Sequence, residues 1–157
     1  MDAPYPKKLQ SIIGLFEELP DENKRELLID YAEQAKRFEP KPGETFDLED
    51  VRKDEECTDT VGVFLKVDQA GGEQHAHFRI TLGPQVQTLT KAMTAILCKG
   101  LEGCSLTEIF ELPADFVPKI VGGQLVRIRS QTVYYILTRI KGICKVYRDR
   151  QRAAAAG

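Results

Sequence analysis

Val61-Gly62-Val63-Phe64-Leu65-Lys66-Val67 places Val61, Val63, Leu65 and Val67 on one side of an extended chain and Gly62, Phe64 and Lys66 on the other. After Asp68-Gln69-Ala70-Gly71-Gly72-Glu73, the run His75-Ala76-His77-Phe78-Arg79-Ile80-Thr81-Leu82 alternates again, with Ala76, Phe78, Ile80 and Leu82 apolar. Two period-2 runs joined by a Gly-Gly loop define an antiparallel hairpin with one apolar face. A lone hairpin is barely stable in water, so that face has to rest on helices.

The flanking sequence supplies them. Leu9, Ile12, Ile13, Phe16 and Leu19 recur at helical spacing, which predicts an amphipathic helix from about Pro6 to Leu19, ended by Pro20. Asp21 is placed to cap a second helix, in which Leu27, Leu28, Tyr31, Ala32 and Ala35 recur as far as Lys36. Pro40-Lys41-Pro42-Gly43 then opens an extended, acidic segment. Beyond the hairpin, Val86, Leu89, Met93, Ile96 and Leu97 form the stripe of a helix closed by Gly100. Ser105-Leu106-Thr107-Glu108 has the form of a capping box for a short helix ending at Pro113. After Gly122-Gly123, the residues Val133, Tyr134, Leu137, Ile140, Cys144 and Tyr147 describe a long helix to about Arg148. The order helices, strands, helices predicts one α+β domain over residues 1–157, with a core from about 7 to 148 and a frayed alanine-rich tail at 149–157.

Composition narrows the function. The 157 residues carry 22 basic and 24 acidic side chains, a near balance that gives no reason to expect nucleic acid as partner. Arg148 to Arg152 reads as a solvated helix end that favours the dipole. No apolar run approaches the roughly 20 residues needed to span a bilayer, and Met1-Asp2-Ala3-Pro4-Tyr5-Pro6 lacks a secretory pattern, so a reducing cytoplasm is expected. In that compartment four scattered cysteines are free thiols rather than a disulfide framework.

Among these, Cys57 stands apart. It lies in Arg52-Lys53-Asp54-Glu55-Glu56-Cys57-Thr58-Asp59-Thr60, a charged turn whose polar groups must stay near water. Cys98 and Cys144 sit on apolar helix stripes and read as core residues, whereas Cys104, in Gly103-Cys104-Ser105 at a helix start, is the one rival thiol whose exposure the sequence leaves open. The four include no Cys-x-x-Cys pair, which argues against a dedicated zinc site. His75 and His77 share a strand face and read as polar residues on its solvent side. A Cys–His hydrolase would need one of them oriented on Cys57, which sequence cannot show, and neither Gly-Gly pair carries a phosphate-loop signature.

With these elements in place the chain resembles the SufE family of sulfur-acceptor proteins from about Leu9 to Tyr147. The likeness rests on Leu27-Leu28-Ile29, Pro40-Lys41-Pro42, Cys57 with Val61, His77-Phe78-Arg79, Gly83 with Lys91, Ser105 before Ile109, and Arg129-Ser130-Gln131. It implies a fold shared with the IscU-type scaffolds, a small antiparallel sheet of two to three strands flanked by helices, with a short extra strand after Pro42. It also implies a sulfur carrier and desulfurase activator rather than an enzyme, with Cys57 as persulfide acceptor. The expected partners are a SufS-like cysteine desulfurase, which brings its own pyridoxal phosphate, and a SufBCD-type scaffold. No metal or cofactor is expected on this chain, no membrane partner, and a monomer or weak homodimer. Family members usually have Gly before the cysteine, Ser two positions after it and an aromatic residue after the valine; Glu56, Asp59 and Gly62 stand here. The surrounding carboxylates disfavour a thiolate and push the Cys57 thiol above its free value of about 8.5. Arg129 is the candidate cation to stabilise thiolate or persulfide, with a surface ion pair to a loop acid as the alternative role. An IscU-like iron–sulfur or zinc scaffold, and behind it a cysteine-dependent enzyme, are the alternative functions.

Overall fold

The computed structural model describes residues 5–52, 60–84, 86–122 and 131–156. The chain is α+β, as the hairpin requires. Its helices are α1 (Lys7–Glu17), α2 (Asp21–Gln34), α3 (Thr88–Gly100), α4 (Leu106–Glu111), α5 (Phe116–Val121) and α6 (Gln131–Ala156), with a 3-10 turn at Ala35–Phe38 after α2. The strands are β1 (Leu48–Arg52), β2 (Val61–Ala70), β3 (Glu73–Thr81) and β4 (Cys104–Ser105), joined in the order β1-β2-β3-β4 with every neighbour antiparallel. The third strand expected after Pro42 is β1; β4 brings the number to four.

The hairpin register sets Val63 opposite Ile80 and Leu65 opposite Phe78, all turned to the helical layer and fully buried. On the helical side α3 lies at the centre of the layer, between the sheet and the helices α1 and α2, with Ala92, Met93 and Ala95 to Cys98 wholly inaccessible. Gly100 is where α1 crosses it: a Cβ there would meet Leu9 Cδ1 at 2.9 Å and the Leu9 Cα at 3.2 Å. Leu9, Ile13 and Phe16 of α1 close the core on that side, and the ring of Phe16 stacks on Tyr31 of α2 at 6.0 Å between centroids.

The capping box forms: Ser105 Oγ accepts from the Glu108 N–H, and Glu108 Oε1 from the Ser105 N–H, each at 3.1 Å. Two local readings change and one helix is added. Asp21 is the first helical residue of α2 and Pro20 occupies the cap position without a side-chain bond; Asp21 and Glu22 act instead through the helix dipole. Phe116, Val117, Ile120 and Val121 form the short helix α5, buried although Pro118 lies within it, because a proline in the first turn removes no hydrogen bond. The last helix runs to Ala156 rather than fraying after Arg148, since alanine is the best helix former. Towards its far end the Arg148 guanidinium lies over α4, 4.4 Å from the Phe110 ring centre.

Two helix glycines should respond oppositely to the same change. Gly100→Ala forces Leu9 and α1 outward and is expected to destabilise by about 1–3 kcal/mol. Gly142→Ala in α6, where a Cβ meets nothing within 4 Å, should stabilise by about 0.5–1 kcal/mol. Urea midpoints of the two variants at constant slope check the pair.

Candidate functional site at the open end of the sheet

β1 leaves the sheet at Arg52 and β2 enters it at Val61, the residue paired with Arg52; β3 ends one position away at Thr81, opposite Gly62. Two helices of the covering layer, α3 and α6, begin at the same end. Asp50 of β1 meets Arg139 of α6, and Asp47 acts on Tyr147, so α6 runs opposite to β1. Gln131 therefore lies about 12 Å further along than Arg139, beyond Arg52, at a rise of about 1.5 Å per residue. α3 likewise starts at Thr88, seven residues after β3 ends at Thr81.

Cys57 and Arg129, the two site residues read from the sequence, both lie outside the described residues. The residues that bracket them are placed: Arg52 and Thr60 on either side of the cysteine stretch, Gly122 and Gln131 on either side of the arginine stretch. Arg52, Val61 and Gln131 belong to this one end of the sheet.

The floor of this end is tightly built. Arg139, with its side chain 2% exposed, donates through Nη2 to the Asp50 carbonyl at 2.6 Å and through Nε to Asp50 Oδ2 at 3.3 Å. Asp50 also faces Arg52 at 3.4 Å. This buried arginine locks α6 onto β1, and the sequence reading passed over it; the signal was a cation on the apolar face between Ile136 and Ile140. Gly62 has its side-chain space filled. A Cβ there would lie 2.5 Å from Thr81 Oγ1 and 2.9 Å from Phe64 Cε2, so the Phe64 ring from two residues on covers the position.

Beside the same end a groove of about 560 Å³ runs between α2 and the segment linking β3 to α3. Ile29, Ala32, Leu82 and Pro84 line it, with Lys36 and Lys91 also on its wall.

The other three thiols are poor nucleophiles. Cys98 and Cys144 are fully inaccessible on α3 and α6, as their stripes predict. Cys104, whose exposure the sequence leaves open, is buried: it pairs with Ala76 in β4, is 7% exposed, and its thiol faces the Gly100 carbonyl at 3.8 Å. Burial pushes all three thiols up to about 12, so almost none is thiolate at neutral pH.

On the outer face of the sheet, His77 lies between Glu102 and Asp68, hydrogen-bonded to both. Burial works against its charged form, but the bonds and charges of Glu102 and Asp68 outweigh this and hold the imidazole above its ordinary 6.5. Among the described residues no three His, Cys, Asp or Glu side chains are arranged to hold a metal ion, and no helix is long and apolar enough to cross a membrane.

The SufE family, described as an Fe-S metabolism associated domain, matches residues 10–144. The chain belongs to that family. Its fold is also similar to the solution structure of a hypothetical protein from Thermus thermophilus, at 27% identity and a TM-score of 0.65, over 90% of this chain and 96% of that one. No curated protein matches the chain.

Cys98, Cys104 and Cys144 should stay silent in a thiol titration of the native protein near pH 8. They are expected to react only after unfolding, so that at most one thiol per chain reports rapidly with a chromogenic disulfide. Fast reaction of two or more native thiols would show that burial does not protect them.

Proposed function

We propose that this protein is a sulfur acceptor that takes persulfide sulfur from a pyridoxal-phosphate cysteine desulfurase onto Cys57 and passes it on for iron–sulfur cluster assembly. The observation that carries the reading is the state of the other thiols. Within a family associated with Fe-S metabolism, three of the four cysteines are buried and held protonated, which leaves Cys57 for thiol chemistry. Support comes also from the sheet end, to which Arg52 and Val61, beside the Cys57 stretch, and Gln131, after the Arg129 stretch, all belong.

In the transfer step the Cys57 thiolate attacks the terminal sulfur of the donor persulfide. The donor S–S bond breaks, the donor cysteine leaves as thiolate, and a persulfide forms on Cys57, so no external oxidant or reductant is consumed. The carboxylates of Asp54, Glu55, Glu56 and Asp59 oppose the initial thiolate, and Arg129 is assigned the compensating charge on thiolate and persulfide. The chain carries no cofactor of its own in this scheme. It activates the desulfurase by removing its product, and a SufBCD-type scaffold is the receiver.

Incubated with a desulfurase, cysteine and pyridoxal phosphate, the protein should gain sulfur by intact mass. A variant with Cys98, Cys104 and Cys144 replaced should gain it equally. Cys57→Ser should not, because a hydroxyl cannot accept and release sulfane sulfur. Sulfur that persists in Cys57→Ser and vanishes on replacing Cys104 would overturn the site; one firmly bound metal per purified chain would favour the scaffold reading instead.

Arg129→Ala is expected to lower sulfur acceptance about tenfold or more per folded molecule, the loss of about one charge-assisted hydrogen bond. Arg129→Lys should recover only part of it, because an ammonium lacks the planar fork. Unchanged transfer with a lowered melting temperature would make Arg129 a structural residue.

A further inference from the structure

Both ring nitrogens of His77 face a carboxylate oxygen, Nδ1 that of Glu102 and Nε2 that of Asp68. A neutral imidazole has one N–H and one lone pair, so it can donate to only one of them; the imidazolium satisfies both. The three side chains come from separate pieces of the fold: Asp68 from β2, His77 from β3, and Glu102 from the turn between α3 and β4.

The surroundings bias the arrangement. From β3, His75 Nδ1 lies 3.7 Å from Asp68 Oδ1, and its Nε2 lies 3.6 Å from Glu73 Oε2. Arg79 Nη1 lies 3.8 Å from Glu102 Oε2, and Arg79 Nε lies 3.5 Å from Glu44 Oε2, from the segment before β1. Lys66 of β2 lines the same cavity of about 280 Å³. Within the turn the Leu101, Glu102 and Cys104 N–H groups donate to the Leu97, Lys99 and Leu101 carbonyls at 2.9, 3.4 and 3.1 Å, so these bonds are local and the backbone tie to the hairpin is short. Gly103 N–H donates to the Ala76 carbonyl at 2.9 Å, and β4 beyond it is two residues long.

We propose that His77 is a proton-operated latch that ties the α3–β4 turn to the β2–β3 hairpin while doubly protonated and releases Glu102 when it loses a proton. Glu102 is the partner that lets go because it lies in a turn and has Arg79 as a second cation to move toward. Asp68 is fixed in the β2–β3 ladder opposite His75. Because His77 is held above its unfolded value, the latch contributes fully below about 6.5 and is lost as pH rises through the folded midpoint. Glu102 immediately precedes Gly103 and Cys104, so opening loosens the cover of a buried thiol. This device is independent of the sulfur-acceptor reading.

Carbon-bound ring protons followed by NMR should place the His77 midpoint above 6.5, and Asp68→Asn or Glu102→Gln should each lower it. In the wild-type protein, exchange of the Gly103 amide, corrected for intrinsic rate, should accelerate about tenfold across that midpoint for each unit of displacement. The step should remain in His75→Gln and vanish in His77→Gln. At about pH 6, where the latch is closed in wild type, alkylation of Cys104 should run several-fold faster in His77→Gln than in wild type, a variant that leaves in place the Glu102 carboxylate that acts on the thiol. A wild-type His77 midpoint at or below 6.5, or Gly103 protection indifferent to pH, overturns the latch even where a variant fails to fold.

Discussion

The apolar face of the β2–β3 hairpin is the constraint on which everything else depends. Val61, Val63 and Leu65 stand against Ala76, Phe78 and Ile80 over one continuous surface. A helical layer wide enough to span two strands removes it from water, at a gain of about 25 cal/mol per Å² of apolar surface. α3 lies at the centre of that layer, α1 is pressed close enough to Gly100 to exclude a methyl group, and α6 carries the cover across to β1. The opposite face of the sheet carries His77, Arg79 and Lys66, beside Phe64, whose ring packs on Phe46.

The geometry of the proposed site follows from that two-layer packing. Antiparallel crossing of α6 over β1 brings strand ends and a helix start to a common edge, so residues far apart in sequence, such as Arg52 and Gln131, border the same region. A carrier has to offer its acceptor to partners while its fold stays put. Rigidity here comes from Arg139, whose guanidinium is held by both the backbone and the side chain of Asp50. The pair is sheltered, and such pairs are strongly destabilising to break from one side.

Much of this was legible in local patterns. Strict alternation disclosed β2 and β3, 3-4 spacing disclosed α1, α3 and α6, and the Ser105–Glu108 box marked the start of α4 with both its bonds. What the pattern missed depended on distant partners. The exposure of Cys104, between Gly103 and Ser105, stays open in the sequence until pairing with Ala76 buries it. Arg139 reads as one more cation on a helix until Asp50 is placed beside it. The clamp on His77 joins positions 68, 77 and 102, a juxtaposition that no window of sequence contains. The Cys57 and Arg129 assignments rest on family resemblance and on the chemistry of the remaining thiols, since no spacing rule connects a loop cysteine to an arginine 72 residues later.

The edges of the sheet bear on how the protein behaves when crowded. A strand with unpaired backbone groups invites another chain to add itself, which is the first step of ordered aggregation. At one margin β4 is two residues long and turns straight into a helix, too short to template anything. At the other, β1 carries Glu49, Asp50 and Arg52 within five residues, and the Asp50 carbonyl is already engaged by Arg139. The same arginine that fixes α6 in place therefore also discourages the sheet from growing by recruiting a neighbour.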